Sequence, residues 1–230
     1  MAKNLISLLL APLFLAGCVS YGRKNIALTN LPSLGPLPQF KTSAHYTLEM
    51  ERDLGANEED FNKIEMFLSN VEKRVKTKEV YTRNDAEQIM SVIHEENQKL
   101  FSKYEEGDIF YYALRTGKAD CERFTIPYLS AAEKLNLPIK AVLATGQKRP
   151  SHVFIRWKFP SEGESWLNWE CIDGKPKPND YCEDYPNLSE IPNFARWCIE
   201  TRLDWCYRQY GTNYHSANEK AGYYLIKLKK

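Results

Sequence analysis

The chain has no apolar run long enough to cross a bilayer as a helix, which takes roughly twenty residues; its longest candidate, Leu5 to Leu15, falls short. It also has almost no net charge. Lys and Arg number 31 against 30 Asp and Glu, a formal +1, so the electrostatic footprint of a nucleic-acid binder is missing. Histidine is scarce, with four in 230 residues, and no Cys-x-x-Cys spacing occurs, which gives a zinc module little to be built from. No internal repeat is present, which excludes a solenoid, and no cofactor-binding motif is read. What remains is 43% hydrophobic content in 230 residues, enough to bury the core of one medium-sized domain.

The first residues depart from that globular texture. Lys3 precedes the Leu5 to Leu15 run, and the run ends in Leu15-Ala16-Gly17-Cys18. This order of charge, apolar core and small residues resembles a lipoprotein export signal with its lipobox. The resemblance implies that residues 1–17 are removed, that Cys18 is acylated, and that the mature chain is held on a membrane of the cell envelope by that lipid. Val19 after the acylated residue implies an outer-membrane destination, facing the periplasm, in a host that has one. Loss of Lys3 with the leader leaves 30 basic and 30 acidic side chains. Pro32, Gly35, Pro36 and Pro38 then mark residues 18–44 as a tether, and the folded domain is expected over residues 45–230.

Apolar residues at spacings of three and four predict helices over Glu58 to Lys76 and Asn84 to Tyr104, both with polar starts suited to capping. A further helix is expected to start at Cys121, with Pro127 kinking it and Leu137-Pro138 ending it. Ile139 to Ala144 reads as a strand, and His152 to Lys158 with Ser165 to Cys171 as a hairpin whose loop contains Pro160 and Gly163. Asp173 to Pro192 is rich in Pro, Asn and Asp and leads into a helical segment from about Asn193 to Tyr210. The fold class is therefore α+β.

Two of these elements carry chemistry. A cysteine is a good nucleophile only as its thiolate, which a helix N-terminus or a neighbouring imidazole favours, and Cys121 opens a predicted helix after the turn-prone Thr116-Gly117-Lys118-Ala119-Asp120. Its own backbone N–H is placed to serve an oxyanion. In the hairpin, setting Lys158 opposite Glu164 brings His152 opposite Glu170. It also puts Val153, Ile155, Trp157, Leu167 and Trp169 on one face, with His152, Phe154, Arg156, Trp166, Asn168 and Glu170 on the other. Opposed Cβ atoms are roughly 5 Å apart, close enough for a carboxylate to hold one imidazole nitrogen while the other faces a thiol. Asn168 and Asp173 are the alternatives to Glu170 in that role. A buried structural Cys121 and a core His152 are the competing reading.

The small-residue turn before a helix-starting Cys, the Leu-x-Leu-Pro ending of that helix, the Ser-His-Val-Phe-Ile-Arg-Trp strand and the Trp-Leu-Asn-Trp-Glu strand together resemble the transglutaminase-like core, of papain-like fold. The resemblance covers about Tyr111 to Gly174. It implies a nucleophile helix packed on an antiparallel sheet, flanked by N-terminal helices and a C-terminal helical segment, and a Cys, His, acid triad in that chain order. Cys121 and His152 match, and Glu170 stands where the family usually has Asp. The activity implied is thioester-forming attack on an amide of a peptide or protein substrate, with release to water or to an amine. The competing classes are a catalytically silent papain-like scaffold that binds a peptide or envelope partner, and a structural metal module.

Six cysteines less Cys18 and Cys121 leave Cys171, Cys182, Cys198 and Cys206, an even set that an exported chain can oxidise into two disulfides. Buried thiols are the alternative. His45 and His94 are read as solvent-facing or locally satisfied, and the aromatic cluster Trp197, Trp205, Tyr207 and Tyr210 as core packing.

Overall fold

A computed structural model describes residues 41–105, 109–146, 151–159, 166–177 and 187–199. The leader, Cys18, nearly all of the tether, Cys182, Cys206 and the aromatic residues beyond Trp197 lie outside those residues. Helix α1 (Ser43–Met50) opens the domain, followed by α2 (Glu58–Arg74) and α3 (Arg83–Leu100). The caps anticipated for the two longer helices are present. The Asn57 side chain accepts from Glu59 N at 3.0 Å while Asp60 accepts from Asn57 N at 2.9 Å. Thr82 and Asp85 do the same reciprocally at the start of α3. Such boxes satisfy helix N–H groups that have no intrahelical partner. Ile64, Phe67, Leu68 and Val71 form the buried stripe of α2, and Ala86, Ile89, Met90, Ile93, His94 and Asn97 that of α3.

Helix α3 ends at Leu100, short of the predicted Tyr104, because the next residues are drawn into another pairing. Strand β1 (Lys103–Tyr104) lies parallel to β2 (Lys118–Ala119), and the Gly117 carbonyl accepts from Ser102 N at 2.8 Å and Lys103 N at 3.2 Å. Between them α4 (Phe110–Thr116) takes no side-chain cap from its N-cap residue Ile109. Its first N–H groups are satisfied by the Glu51 carboxylate, which accepts from Phe110 N at 3.0 Å and Tyr111 N at 2.8 Å. Arg115 in its last turn grips buried Asp60 through Nε at 2.9 Å and a terminal nitrogen at 2.6 Å. Gly117, at φ 69°, ends α4 in the left-handed conformation that a side chain disfavours.

Helix α5 (Cys121–Leu135) packs on the sheet, with α1, α2 and α3 against it. The sheet has the order β6-β5-β4-β3-β7 and is antiparallel throughout, from β3 (Ile139–Thr145), β4 (His152–Lys158), β5 (Trp166–Glu170), β6 (Lys175–Lys177) and β7 (Asn187–Glu190). The architecture is thus α+β. Val153, Ile155, Trp157, Leu167 and Trp169 are buried in one core with Phe124 and Ile126 of α5 and Ile64, Met90 and Ile93. Burial of that much apolar surface is the main favourable term in the fold. Residues 194–199 are helical, and Ala195 and Ile199 pack with Tyr46 and Met50 of α1.

One sequence expectation needs correction here. The hairpin register is displaced by two residues: Lys158 pairs with Trp166, not Glu164, and Ile155 with Trp169. Side chains alternate with a period of two, so a two-residue displacement keeps every residue on its assigned face, and face chemistry cannot distinguish the two registers. The Asp173 to Pro192 stretch, read only as rich in Pro, Asn and Asp, supplies the edge strands β6 and β7. Pro176 sits within β6 at the sheet edge, where its missing N–H breaks no ladder.

Candidate active site

The nucleophile candidate is placed by its cap. Asp120 is extended and its carboxylate accepts from Arg123 N at 2.9 Å, so Cys121 is the first residue of α5, only 6% exposed. The Arg123 guanidinium, buried under the same turn, meets Glu122 at 2.5 Å and Asp120 at 3.3 Å. One turn on, Thr125 Oγ1 donates to the Cys121 carbonyl at 2.8 Å and lies 3.4 Å from Cys171 Sγ. Cys171 directly follows Glu170. Thr125, one turn into α5, therefore touches the residue that follows the acid candidate. Helix α5 continues through Pro127, which is buried in its interior, to a left-handed Asn136 at φ 52°.

At that end of the sheet His152 Nε2 meets Glu170 Oε2 at 2.6 Å, with both side chains largely shielded from solvent. They meet diagonally across β4 and β5 and not as opposed residues, within the reach of long side chains on one face. The second carboxylate oxygen of Glu170 accepts from Ile172 N at 3.3 Å, which fixes the side chain from both ends. The two alternatives to Glu170 are engaged elsewhere. Asn168 Oδ1 accepts from Arg156 Nε at 2.8 Å, and Asp173 Oδ2 accepts from Lys177 Nζ at 2.8 Å in an exposed pair.

Cys171 and Cys198 are buried, and Cys182 and Cys206 lie outside the described residues, so the pairing expected of these four cysteines falls outside what the structure describes. Cys171 is fully enclosed, and burial pushes its thiol well above the ordinary range. Oxidation in place would require a partner sulfur within bonding geometry in that packed core.

His45 and His94 are both buried; of the two readings, solvent-facing or locally satisfied, His45 takes the second through Thr42, and His94 is satisfied by a distant partner. His45 is held between Thr42 Oγ1 at 2.8 Å and Glu65 at 3.0 Å. His94 Nδ1 meets the hydroxyl of Tyr128, itself wholly buried in α5, at 2.8 Å, and Trp169 Nε1 donates to the same hydroxyl at 3.3 Å. Burial draws the His94 imidazole below its ordinary pKa. The signal for its position was in the sequence: it follows Met90 by four and Ala86 by eight, on the apolar stripe of α3. Compared with known proteins, the chain matches no family model, no curated protein and no solved structure.

Proposed function

We propose that the chain is a thiol acyl-transfer enzyme with a papain-like, transglutaminase-like core, using Cys121 as nucleophile, His152 as base and Glu170 as the orienting carboxylate. The observation that carries this reading is the 2.6 Å contact between His152 Nε2 and Glu170 Oε2; Thr125, which donates to the Cys121 carbonyl, lies 3.4 Å from the sulfur of Cys171, the residue after Glu170. A carboxylate on Nε2 leaves Nδ1 as the nitrogen that exchanges a proton with the thiol. The Cys121 S–H proton passes to His152 Nδ1, and the sulfur adds to an amide carbonyl carbon of a peptide or protein. The resulting oxyanion is met by the Cys121 backbone N–H. Collapse breaks the C–N bond, the imidazolium returns its proton to the leaving amine, and a thioester remains on Cys121. Water or a second amine then attacks the thioester, with His152 accepting its proton; the C–S bond breaks, the acyl group leaves as acid or amide, and the imidazolium returns the proton to the Cys121 sulfur. Glu170 keeps the imidazole oriented and stabilises the imidazolium.

The same proposal places the enzyme in the cell envelope, tethered by lipid at Cys18; metabolic labelling with a fatty-acid analogue checks this, and equal labelling of wild type and Cys18→Ser would refute it. The burial of Cys121 favours a second reading, a silent scaffold that binds a peptide or envelope partner. Limited alkylation with iodoacetamide near neutral pH, followed by peptide mapping, separates the two. The enzyme reading expects Cys121 to be modified first, with Cys171 and Cys198 slow, His152→Ala far slower than wild type, and Glu170→Gln between them. If Cys121 reacts no faster than Cys171, or is indifferent to His152, the scaffold reading stands.

A further inference from the structure

Resting on that catalytic reading, we propose that His94 is a positioning residue for the site: from α3 it fixes the turn that follows Glu170, and so holds the carboxylate on His152. Three contacts converge on its ring. On one side Nδ1 meets Tyr128 Oη at 2.8 Å. On the other, the backbone of Cys171 hydrogen-bonds the imidazole. Across its face lies Gly174, so close that a Cβ there would stand 2.1 Å from Cδ2 and 2.3 Å from Cγ and Nε2. Gly174, at φ 65°, closes the turn by donating its N–H to the Glu170 carbonyl at 3.0 Å. The residues from Glu170 to Gly174 are therefore shaped around one imidazole that belongs to another element.

Hydrogen-bond satisfaction assigns the tautomer. Tyr128 has a single hydroxyl hydrogen, and its oxygen already accepts from Trp169 Nε1 at 3.3 Å. With the hydroxyl hydrogen directed to His94 Nδ1, the ring hydrogen is assigned to Nε2, and the Cys171 backbone is the hydrogen-bonding group that favours it. The network runs Trp169 to Tyr128 to His94 to Cys171, from β5 through two helices back to the residue after Glu170. It requires a neutral His94. A proton on Nδ1 would turn the Tyr128 hydrogen out into the core without an acceptor, a costly arrangement. The charged and titratable groups facing the ring are Tyr128 on α5, Cys171 and Asp173 on the turn, and Glu95 on its own helix; burial outweighs the two carboxylates and keeps the ring neutral.

The test uses the full folded domain and two readouts, the iodoacetamide rate at Cys121 and the NMR signature of the His152 Nε2–H facing Glu170. His94→Gln is expected to slow Cys121 alkylation on the order of tenfold, as loss of an outer orienting group does elsewhere. The double variant His94→Gln with Glu170→Gln should be no slower than Glu170→Gln alone, because both act through one carboxylate. Nitrogen shifts of His94 should report protonation at Nε2 and not Nδ1. If His94→Gln fails to fold, Tyr128→Phe, which keeps the ring and removes the hydroxyl, is expected to show the same non-additivity. The proposal is overturned if a folded His94→Gln or Tyr128→Phe variant leaves the His152 Nε2–H signal unchanged, or if the two losses multiply. If Glu170→Gln labels like wild type, the catalytic reading fails separately, and the His152 signal still decides whether His94 positions the carboxylate.

Discussion

Replacing Gly174 with alanine puts a methyl group 2.1 Å from a carbon of a buried imidazole, and a second glycine supplies the control that isolates this contact. Gly117 has nearly the same conformation, φ 69° against 65°, but a Cβ there meets only Ser102 Oγ at 3.4 Å and a carbonyl at 3.8 Å. The backbone cost of alanine in the left-handed region is about 1 kcal/mol at either site. At Gly174 the His94 ring has to move as well. That stretches its bond to Tyr128 and leaves buried polar groups unsatisfied, for about 1–3 kcal/mol more. The totals are about 1 kcal/mol for Gly117→Ala and about 2–4 kcal/mol for Gly174→Ala. For a chain of this size they correspond to losses in Tm of roughly 2–4 °C and roughly 4–16 °C. Thermal unfolding followed by far-UV circular dichroism measures both. Equal shifts for the two variants would refute the reasoning, since they would mean that the His94 ring yields freely and does not lock the turn.

Two other outcomes follow from the ion pairs. The Asp85 carboxyl is held down to about 2 by Lys78, with further help from the Thr82 N–H and hydroxyl. A carboxylate whose folded pKa is depressed contributes stability above its unfolded pKa and loses it as pH falls through the folded value. Asp85→Asn should therefore lower Tm at pH 7, with the gap to wild type closing between about pH 4 and pH 2; a gap independent of pH would contradict this. Asp60→Asn removes the charge that Arg115 grips at 2.9 and 2.6 Å. Because Asp60 is fully buried while Arg115 is partly exposed, the expected loss is about 2–3 kcal/mol in urea unfolding, and a loss under about 0.5 kcal/mol would show the pair to be dispensable.

The elements with local signals were legible in the sequence, and those held by distant partners were not. Asn57 and Thr82 announce their helices because cap and first turn are adjacent in the chain. Helix α4 escapes because its cap, Glu51, lies 59 residues upstream of Phe110. Strand β4 was placed at its observed bounds and β5 nearly so, yet their register was displaced by two, since pleat parity constrains registers only modulo two. His152 and Glu170 still meet, as a diagonal pair in place of an opposed one. The Glu-rich stretch around His94 points to solvent or a local partner, whereas its spacing from Met90 puts it on the buried stripe, with its partner Tyr128 on another helix. The even number of late cysteines carries no geometry of its own: Cys171 lies sealed beside Thr125, and Cys182 and Cys206 fall outside the described residues.

The central claim is that Cys121 is a nucleophile activated by His152, and the rate of its alkylation as a function of pH tests that most directly. Rates for Cys121, read by peptide mapping from pH 4 to pH 10, give the apparent pKa of the thiol in wild type and in His152→Ala. An ordinary cysteine titrates near 8.5. The account predicts a wild-type value clearly below that, an upward shift of at least one unit in His152→Ala, and an intermediate value in Glu170→Gln. A wild-type Cys121 that titrates at or above the ordinary value, unchanged by His152→Ala, would contradict it.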